Sequence, residues 1–303
     1  MIRSVRERPA GAWRTRATRG NPAPTMVRRG ETGYPAALED GDPPRQLWCL
    51  GDASLLGVQP MVAIVGTRNS TAYGERTARD LARAIVDGGG CVVSGMARGV
   101  DAAAHAGAME GGGRTIAVLG TGVDVPYPPR HRALHARIAA AGLVISEMPL
   151  GQGAFIGCFP RRNRIIAGLA SVVVVVEGGH KSGALKTAGI ALELGRSVAG
   201  VPGPIDSPQS AGVNQLIRDG AHMLTDVGDL LQLAGLDPAR RVAYEPAGPD
   251  ERAVYDALSS GALSPDVLAL RTGLPAARCF AAVTALELAG AVECTLGGTV
   301  RRR

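Results

Sequence analysis

The chain is 303 residues long, carries a formal net charge of +6, and is 46% hydrophobic but only 3% aromatic. Residues 1–33 hold eight arginines against Glu7 and Glu31, so the remaining 25 basic and 25 acidic residues cancel, and any anion affinity of the folded part must come from local clustering. Cys49, Cys91, Cys158, Cys279 and Cys294 are scattered, with no C-x-x-C pair and no His at ligand spacing, which argues against a disulfide framework and predicts no metal site. No apolar run approaches the roughly 20 residues of a membrane span, and the Arg-rich start lacks a secretory apolar region, so a cytoplasmic chain is expected.

In chain order, residues 1–33 mix Arg, Gly, Pro and Thr without a hydrophobic period and are expected to form a disordered basic tail. A Pro-rich turn leads into a short strand, Gln46–Leu50. Apolar runs then recur at Met61–Gly66, Gly90–Gly95, Thr115–Gly120, Leu143–Glu147, Ser171–Gly178 and Ser197–Gly203. Amphipathic stretches lie between them, near 74–87, 99–110, 130–141, 159–169 and 183–195. The five consecutive valines from Val172 to Val176 are apolar on both faces, as in parallel strands covered by helices on both sides. The alternation predicts an α/β fold over 34–230, a doubly wound, mostly parallel, extended Rossmann-like sheet. A linker is expected over 231–249. Residues 250–303 read as helices Glu251–Leu258, Pro265–Arg271 and Ala277–Ala289, then strands Ala291–Thr295 and Val300–Arg303, the order of a small C-terminal winged-helix domain.

In a doubly wound sheet ligands bind beyond the carboxyl ends of the strands. At that edge the sequence places Gly66-Thr67-Arg68, Ser94-Gly95 and two loops flanking the valine strand. One is Phe159-Pro160-Arg161-Arg162-Asn163-Arg164, at the start of a helix. The other is Glu177-Gly178-Gly179-His180-Lys181-Ser182-Gly183, running into the next helix. Helix N-termini and guanidinium forks both favour anions, so this rim suits a phosphate-bearing ligand. The Rossmann dinucleotide fingerprint fails, because Gly120-Thr121-Gly122 lacks its third glycine and Arg68 stands where a second Gly is required. A Walker A loop fails at His180-Lys181. Neither NAD nor ATP hydrolysis is supported, and no cofactor is predicted.

Each of these residues also has a plain structural reading. Arg68 can be a surface arginine, and one of Arg161, Arg162 and Arg164 is expected to be a solvated or capping group. Asp101 and His105, one turn apart, read as a structural pair holding the Ser94–Gly99 loop rather than as an acid–base pair. Glu147 and Glu177 are expected to orient arginines or cap loops. Phe159 is either a core plug or a base-stacking platform, and its place beside the guanidinium cluster favours the platform.

The ordered set GTRNSTAYG, SGMARGVDAAAH, TIAVLGTGVDVPYPPRH, ISEMPLG, FPRRNRIIAGL, EGGHKSGALKTA and VPGPIDSPQSAGVNQLIRDGA, from residue 66 to 221, strongly resembles the DNA-processing protein A family (DprA, also called Smf). Residues 250–303 look like that family's winged-helix module. The resemblance implies a dimeric Rossmann-like protein that binds single-stranded DNA entering during natural transformation and loads the RecA recombinase on it. It carries site roles onto Gly66, Thr67 and Arg68, onto Ser94-Gly95, and onto Phe159, Arg162, Asn163 and Arg164. Many members have a helical N-terminal domain that residues 1–33 cannot form, and Lys186 stands where an apolar or small residue is usual.

The first reading is therefore a non-enzymatic single-strand binder and recombination mediator, with Arg161 and Lys181 joining the matched residues. The alternative is a nucleotide-binding N-glycoside hydrolase like the LOG group, whose P-G-G-x-G-T-x-x-E loop is here Glu177–Gly183 with no Glu until Glu193. A third, a transcription regulator, is weakened by the expected recognition helix, which offers only Arg278 and Thr284 to a base edge and better suits a protein contact.

Overall fold

The computed structural model describes residues 23–237, 246–289, 291–295 and 298–302, which divide into two compact units on either side of Arg240 and Arg241. The first unit is a nine-stranded sheet in the order β1-β2-β6-β5-β4-β3-β7-β8-β9. Its central strands are β3 (Met61–Val65), β4 (Cys91–Ser94), β5 (Thr115–Leu119), β6 (Leu143–Ser146), β7 (Val172–Val175) and β8 (Ser197–Gly200), all parallel. The helices between them are α1 (Ala72–Asp87), α2 (Val100–Glu110), α3 (Arg132–Ala141), α4 (Cys158–Leu169) and α5 (Gly183–Glu193). The α/β fold read from the sequence is the fold observed.

Strand β3 shows why the runs are apolar throughout. Met61, Ala63 and Val65 pack with Ile165 and Ile166 of α4 and Ala184 and Ala188 of α5. Val62 and Ile64 point the other way, against Leu81 and Ile85 of α1 and Ala104 of α2. With period 2 and helices on both faces, no position of the strand meets water, and each of its Met, Val and Ile side chains contributes roughly 1.5–3 kcal/mol by burial. The chain winds outward from β3 through β4 and β5 to β6, then returns through α4 to place β7 on the other side of β3. The switch point therefore lies between the carboxyl ends of β3 and β7.

Two expectations change. Residues 1–22 lie outside the described residues, but Thr25–Arg28, inside the stretch expected to be disordered, is strand β1, antiparallel to β2 (Gln46–Gly51). The Thr-Met-Val-Arg quartet finds the free edge of β2, and Arg28 and Arg29 pair with Glu31 and Glu39. Beyond β8, helix α6 (Ala211–Arg218), the short β9 (His222–Met223) and α7 (Val227–Leu233) complete the unit. Asp226 and Asp229 form a capping box on α7, and Leu230 and Leu231 are buried against the face that holds α1. Residues 231–237 thus belong to the first unit rather than to a linker, and 238–245 lie outside the described residues.

The second unit has α8 (Pro249–Ala257), α9 (Pro265–Thr272) and α10 (Ala276–Leu288), followed by the antiparallel pair β10 (Val292–Cys294) and β11 (Val300–Arg302), with Leu263 bridging to Val300. Val254, Leu268, Cys279, Val283, Leu286 and Val292 form its core. This is the winged-helix order expected. Arg278, which the sequence offered to a base edge, donates to the Asp250 carboxylate at 2.6 and 2.7 Å. No single described helix is long and apolar enough to cross a membrane.

Candidate nucleic-acid interface

The loops after β3 and β7 are stitched together at the switch point. The Thr67 amide donates to the Glu177 carbonyl at 2.7 Å, and the Glu177 carboxylate accepts from the Thr71 amide at 2.9 Å and from the Thr71 hydroxyl. Thr71 in turn caps α1 by accepting from the Gly74 amide. Gly66 is held against Val100, whose methyl carbons would lie within 3 Å of any added Cβ. Gly66 and Thr67 therefore build the turn, and Arg68 is what the turn presents to solvent.

Arg68 does not stand alone. Its guanidinium carbon lies 5.4 Å from the centre of the Phe159 ring, and that ring packs at 5.0 Å on Tyr127. Phe159 is half-buried, neither a core plug nor a free platform; one edge rests over Gly120, where a Cβ would come within 3.2 Å of the ring. The cation–π contact orders Arg68 over the aromatic face.

The arginines of α4 separate by depth. Arg161 is 57% exposed and pairs with Glu147 at 3.2 Å. Arg164 is largely covered, bridging Glu147 at 2.6 Å and Asp42 at 3.1 Å, and so ties the lead-in segment to α4. Arg162 is buried under the β4–α2 loop, donating to the Val118 carbonyl. A Cβ on Gly95 would fall 2.1 Å from its Nη1, so any side chain there must displace the Arg162 guanidinium. Asn163 is half-buried and Lys181 exposed. Ser94 is buried, its hydroxyl donating to the Ile64 carbonyl at 2.6 Å. Of the eleven residues read from the sequence, Arg68, Phe159, Arg161 and Lys181 reach the surface with groups able to meet a ligand. Gly66, Thr67, Ser94, Gly95, Arg162 and Arg164 shape the edge from within, and the half-buried Asn163 lies among them on α4.

Asp101 holds the β4–α2 loop as expected, accepting from the Gly95 and Ala97 amides at 3.1 and 3.3 Å. Burial pushes its carboxyl up, while Arg162 and the backbone amides of Ala97, Gly95 and Gly66 act in the opposite sense. Burial likewise lowers Arg162, with Asp101 favouring its charge. His105 is not Asp101's partner: its Nδ1 meets the Thr115 hydroxyl at 2.7 Å. Between the two amides Met96 adopts φ 55°, the left-handed region, and His131 Nδ1 donates to its carbonyl at 3.0 Å. That bond joins the β4–α2 loop to the loop before α3.

The joined loops enclose what sequence reading missed. A cleft of about 450 Å3 is lined by Arg68, Asn69, Arg98, Arg130 and His131, beside the N-terminus of α2. Arg79 also lines it but pairs with Glu110. Arg68, Arg98 and Arg130 are exposed and form no ion pair among the described residues. Residue type alone does not mark Arg98 and Arg130: they lie deeper in the loops after β4 and β5, whereas Arg68 directly follows a strand-terminal Gly-Thr.

A doubly wound sheet whose switch point carries a cation–aromatic pair and an arginine-lined cleft, in one chain with a winged-helix unit, defines a Rossmann-like protein with an anion-attracting edge. The chain belongs to the DNA recombination-mediator protein A family, whose model it matches over residues 25–235, and it matches the DprA winged helix domain over 230–298. It is 44% identical over 266 residues to a putative DNA processing protein DprA of Mycobacterium tuberculosis, covering 85% of this chain and 68% of that protein. It is 38% identical over 280 residues to Smf of Escherichia coli, covering 89% and 75%. Among solved structures, DprA of Streptococcus pneumoniae superposes with a TM-score of 0.66 at 38% identity, over 69% of this chain and 73% of that one. DprA of Helicobacter pylori, described for its single-stranded DNA binding mode, superposes with a TM-score of 0.64 at 30% identity, over 70% and 95%.

Proposed function

We propose that this chain binds single-stranded DNA along the carboxyl edge of its sheet. Arg68, Arg98, Arg130, Arg161 and Lys181 contact phosphates, and the exposed part of the Phe159 ring contacts a base. Gly66, Thr67, Ser94, Gly95, Arg162, Asn163 and Arg164 hold these groups in place. The observation that carries the reading is the Arg68–Phe159 pair at the mouth of an arginine cleft, because sequence-tolerant single-strand binding combines phosphate contacts with an aromatic platform. The Helicobacter pylori relative supports it as a protein that binds single-stranded DNA.

On this reading the protein is a cytoplasmic, homodimeric, non-enzymatic recombination mediator that protects DNA entering in natural transformation and loads RecA on it. The family description as a recombination mediator supports that assignment. A LOG-like hydrolase needs a free carboxylate in the loop after β7. Glu177 is bound to Thr71 there, and Glu193 lies at the far end of α5. The test is fluorescence anisotropy with a labelled oligothymidine and a duplex of equal length, alongside a nucleotide N-glycoside hydrolysis assay and RecA filament nucleation on strand coated with single-strand-binding protein. Single-strand preference with faster nucleation is expected. Hydrolysis of a nucleotide without strand binding would overturn the reading.

A further inference from the structure

The loop from β6 to α4 carries no charged residue from Met148 to Gly157, although it borders the arginine rim. Its start is anchored to the loop after β5. The Gly122 amide donates to the Gln152 carbonyl at 2.8 Å, and the Gly151 amide donates to the Asp124 carboxylate at 2.9 and 3.0 Å. Its end is anchored through Phe159 on Tyr127. Residues 153–157, between the anchors, are all exposed: Ile156 wholly so, Phe155 at 44%. Gly151 and Gly157 bracket this tip with φ of 76° and 94°.

Two large apolar side chains in water, held at the tip of a loop anchored on both sides, form a surface that calls for a ligand. The neighbouring chemistry says which. A single strand presents anionic phosphates and the flat, apolar faces of unpaired bases together, whereas a duplex hides those faces in its own stack. Cations on the rim and an uncharged aromatic-aliphatic tip beside them complement the first and not the second. We propose that Phe155 and Ile156 form a second base-contacting site, taking the faces of unpaired nucleobases and favouring single-stranded over duplex DNA. This rests on the reading above that a strand lies on the rim.

The full chain is compared with its Phe155→Ser/Ile156→Ser variant, both altered side chains being in solvent. The probes are an oligothymidine, an abasic strand of the same length and a duplex, with light scattering alongside. The expected result is an affinity for oligothymidine lower by about 5- to 150-fold, the range of one lost stacking contact, with binding to the abasic strand and duplex and the salt slope unchanged. Equal oligothymidine affinity overturns the inference. So does an equal loss on the abasic strand, or a loss that tracks a change in oligomeric state, which would make the tip an interface between copies. A wild type that fails to bind oligothymidine overturns the single-strand reading itself, and this inference with it.

Discussion

Arg68 and Phe159 come from opposite sides of the sheet's switch point, one after β3 and one before β7, and meet with the guanidinium 5.4 Å from the ring centre. Because Phe159 is also packed on Tyr127 and over Gly120, its truncation affects two properties. Phe159→Ala is expected to lower oligothymidine affinity about 5- to 150-fold and to cost ~1–3 kcal/mol of stability, less than a fully buried phenylalanine. Urea denaturation and anisotropy on the same preparation check both. Loss of stability with affinity per folded molecule intact would make Phe159 a packing residue only.

Arg162 is expected to act on stability and not through a phosphate. Arg162→Ala leaves Asp101 buried without its counter-charge and should cost ~3–5 kcal/mol. Adding Asp101→Asn should recover part of that loss, because the uncompensated charge is then gone. Gly95→Ala should also destabilise, since its Cβ meets the Arg162 guanidinium. Chemical denaturation of wild type, Arg162→Ala, Asp101→Asn and the double variant forms the cycle; a fully stable Arg162→Ala would contradict the buried placement.

Stability should fall in acid through His105. The Thr115 hydroxyl donates to the Val92 carbonyl, so His105 Nδ1 carries the proton toward Thr115, and the buried Nε2 has no partner among the described residues. Burial, aided by the charges of Arg162 and His131, lowers its pKa to about 3. The unfolded imidazole titrates near 6.5, so the unfolded chain takes up a proton that the folded chain refuses. The contribution is whole above about pH 6.5 and is lost as pH falls toward about 3, at up to ~1.4 kcal/mol per pH unit. His135, lowered chiefly by burial, adds in the same direction, and Asp101, raised by burial, opposes it. His105→Asn keeps a donor for Thr115 and should flatten the slope; an unchanged slope in denaturation midpoint against pH would remove His105 from the account.

A chain of residues 23–240 should fold and keep most single-strand affinity, because every rim residue lies in the first unit. Starting instead at residue 34 should lower stability, since it deletes β1 and exposes the edge of β2. Thermal melts and anisotropy of the two truncations test this. A large affinity loss in 23–240 would place the winged-helix unit in the DNA site.

The sheet was legible because each central strand is apolar on both faces and each crossover has a helical period. β1 was not, since four residues set no period and the surrounding arginines dominate the composition. Arg162 was legible in principle: it lies in step with Cys158, Ile166 and Leu169 on the buried face of α4, but its charge outweighed its position. Arg98 and Arg130 carry no local mark that separates them from solvated arginines. Only the turn of Met96 and its bond to His131 bring their loops to one cleft, and backbone conformation of that kind is not written in residue type.

The free cations of the rim, not the buried arginines of α4, are expected to hold the phosphates. Oligothymidine binding titrated against salt for wild type, Arg68→Ala, Arg98→Ala, Arg130→Ala, Arg164→Ala and the Arg68/Arg98/Arg130 triple variant separates the two sets. Each of the first three variants should reduce the log–log slope by about 0.7, one phosphate's share for a single strand, and the triple variant by about 2. Arg164→Ala, whose charge is held by Glu147 and Asp42, should leave the slope of the folded protein unchanged. A slope that drops with Arg164→Ala and stays fixed with Arg68, Arg98 and Arg130 replaced would place the phosphates on the buried arginines instead.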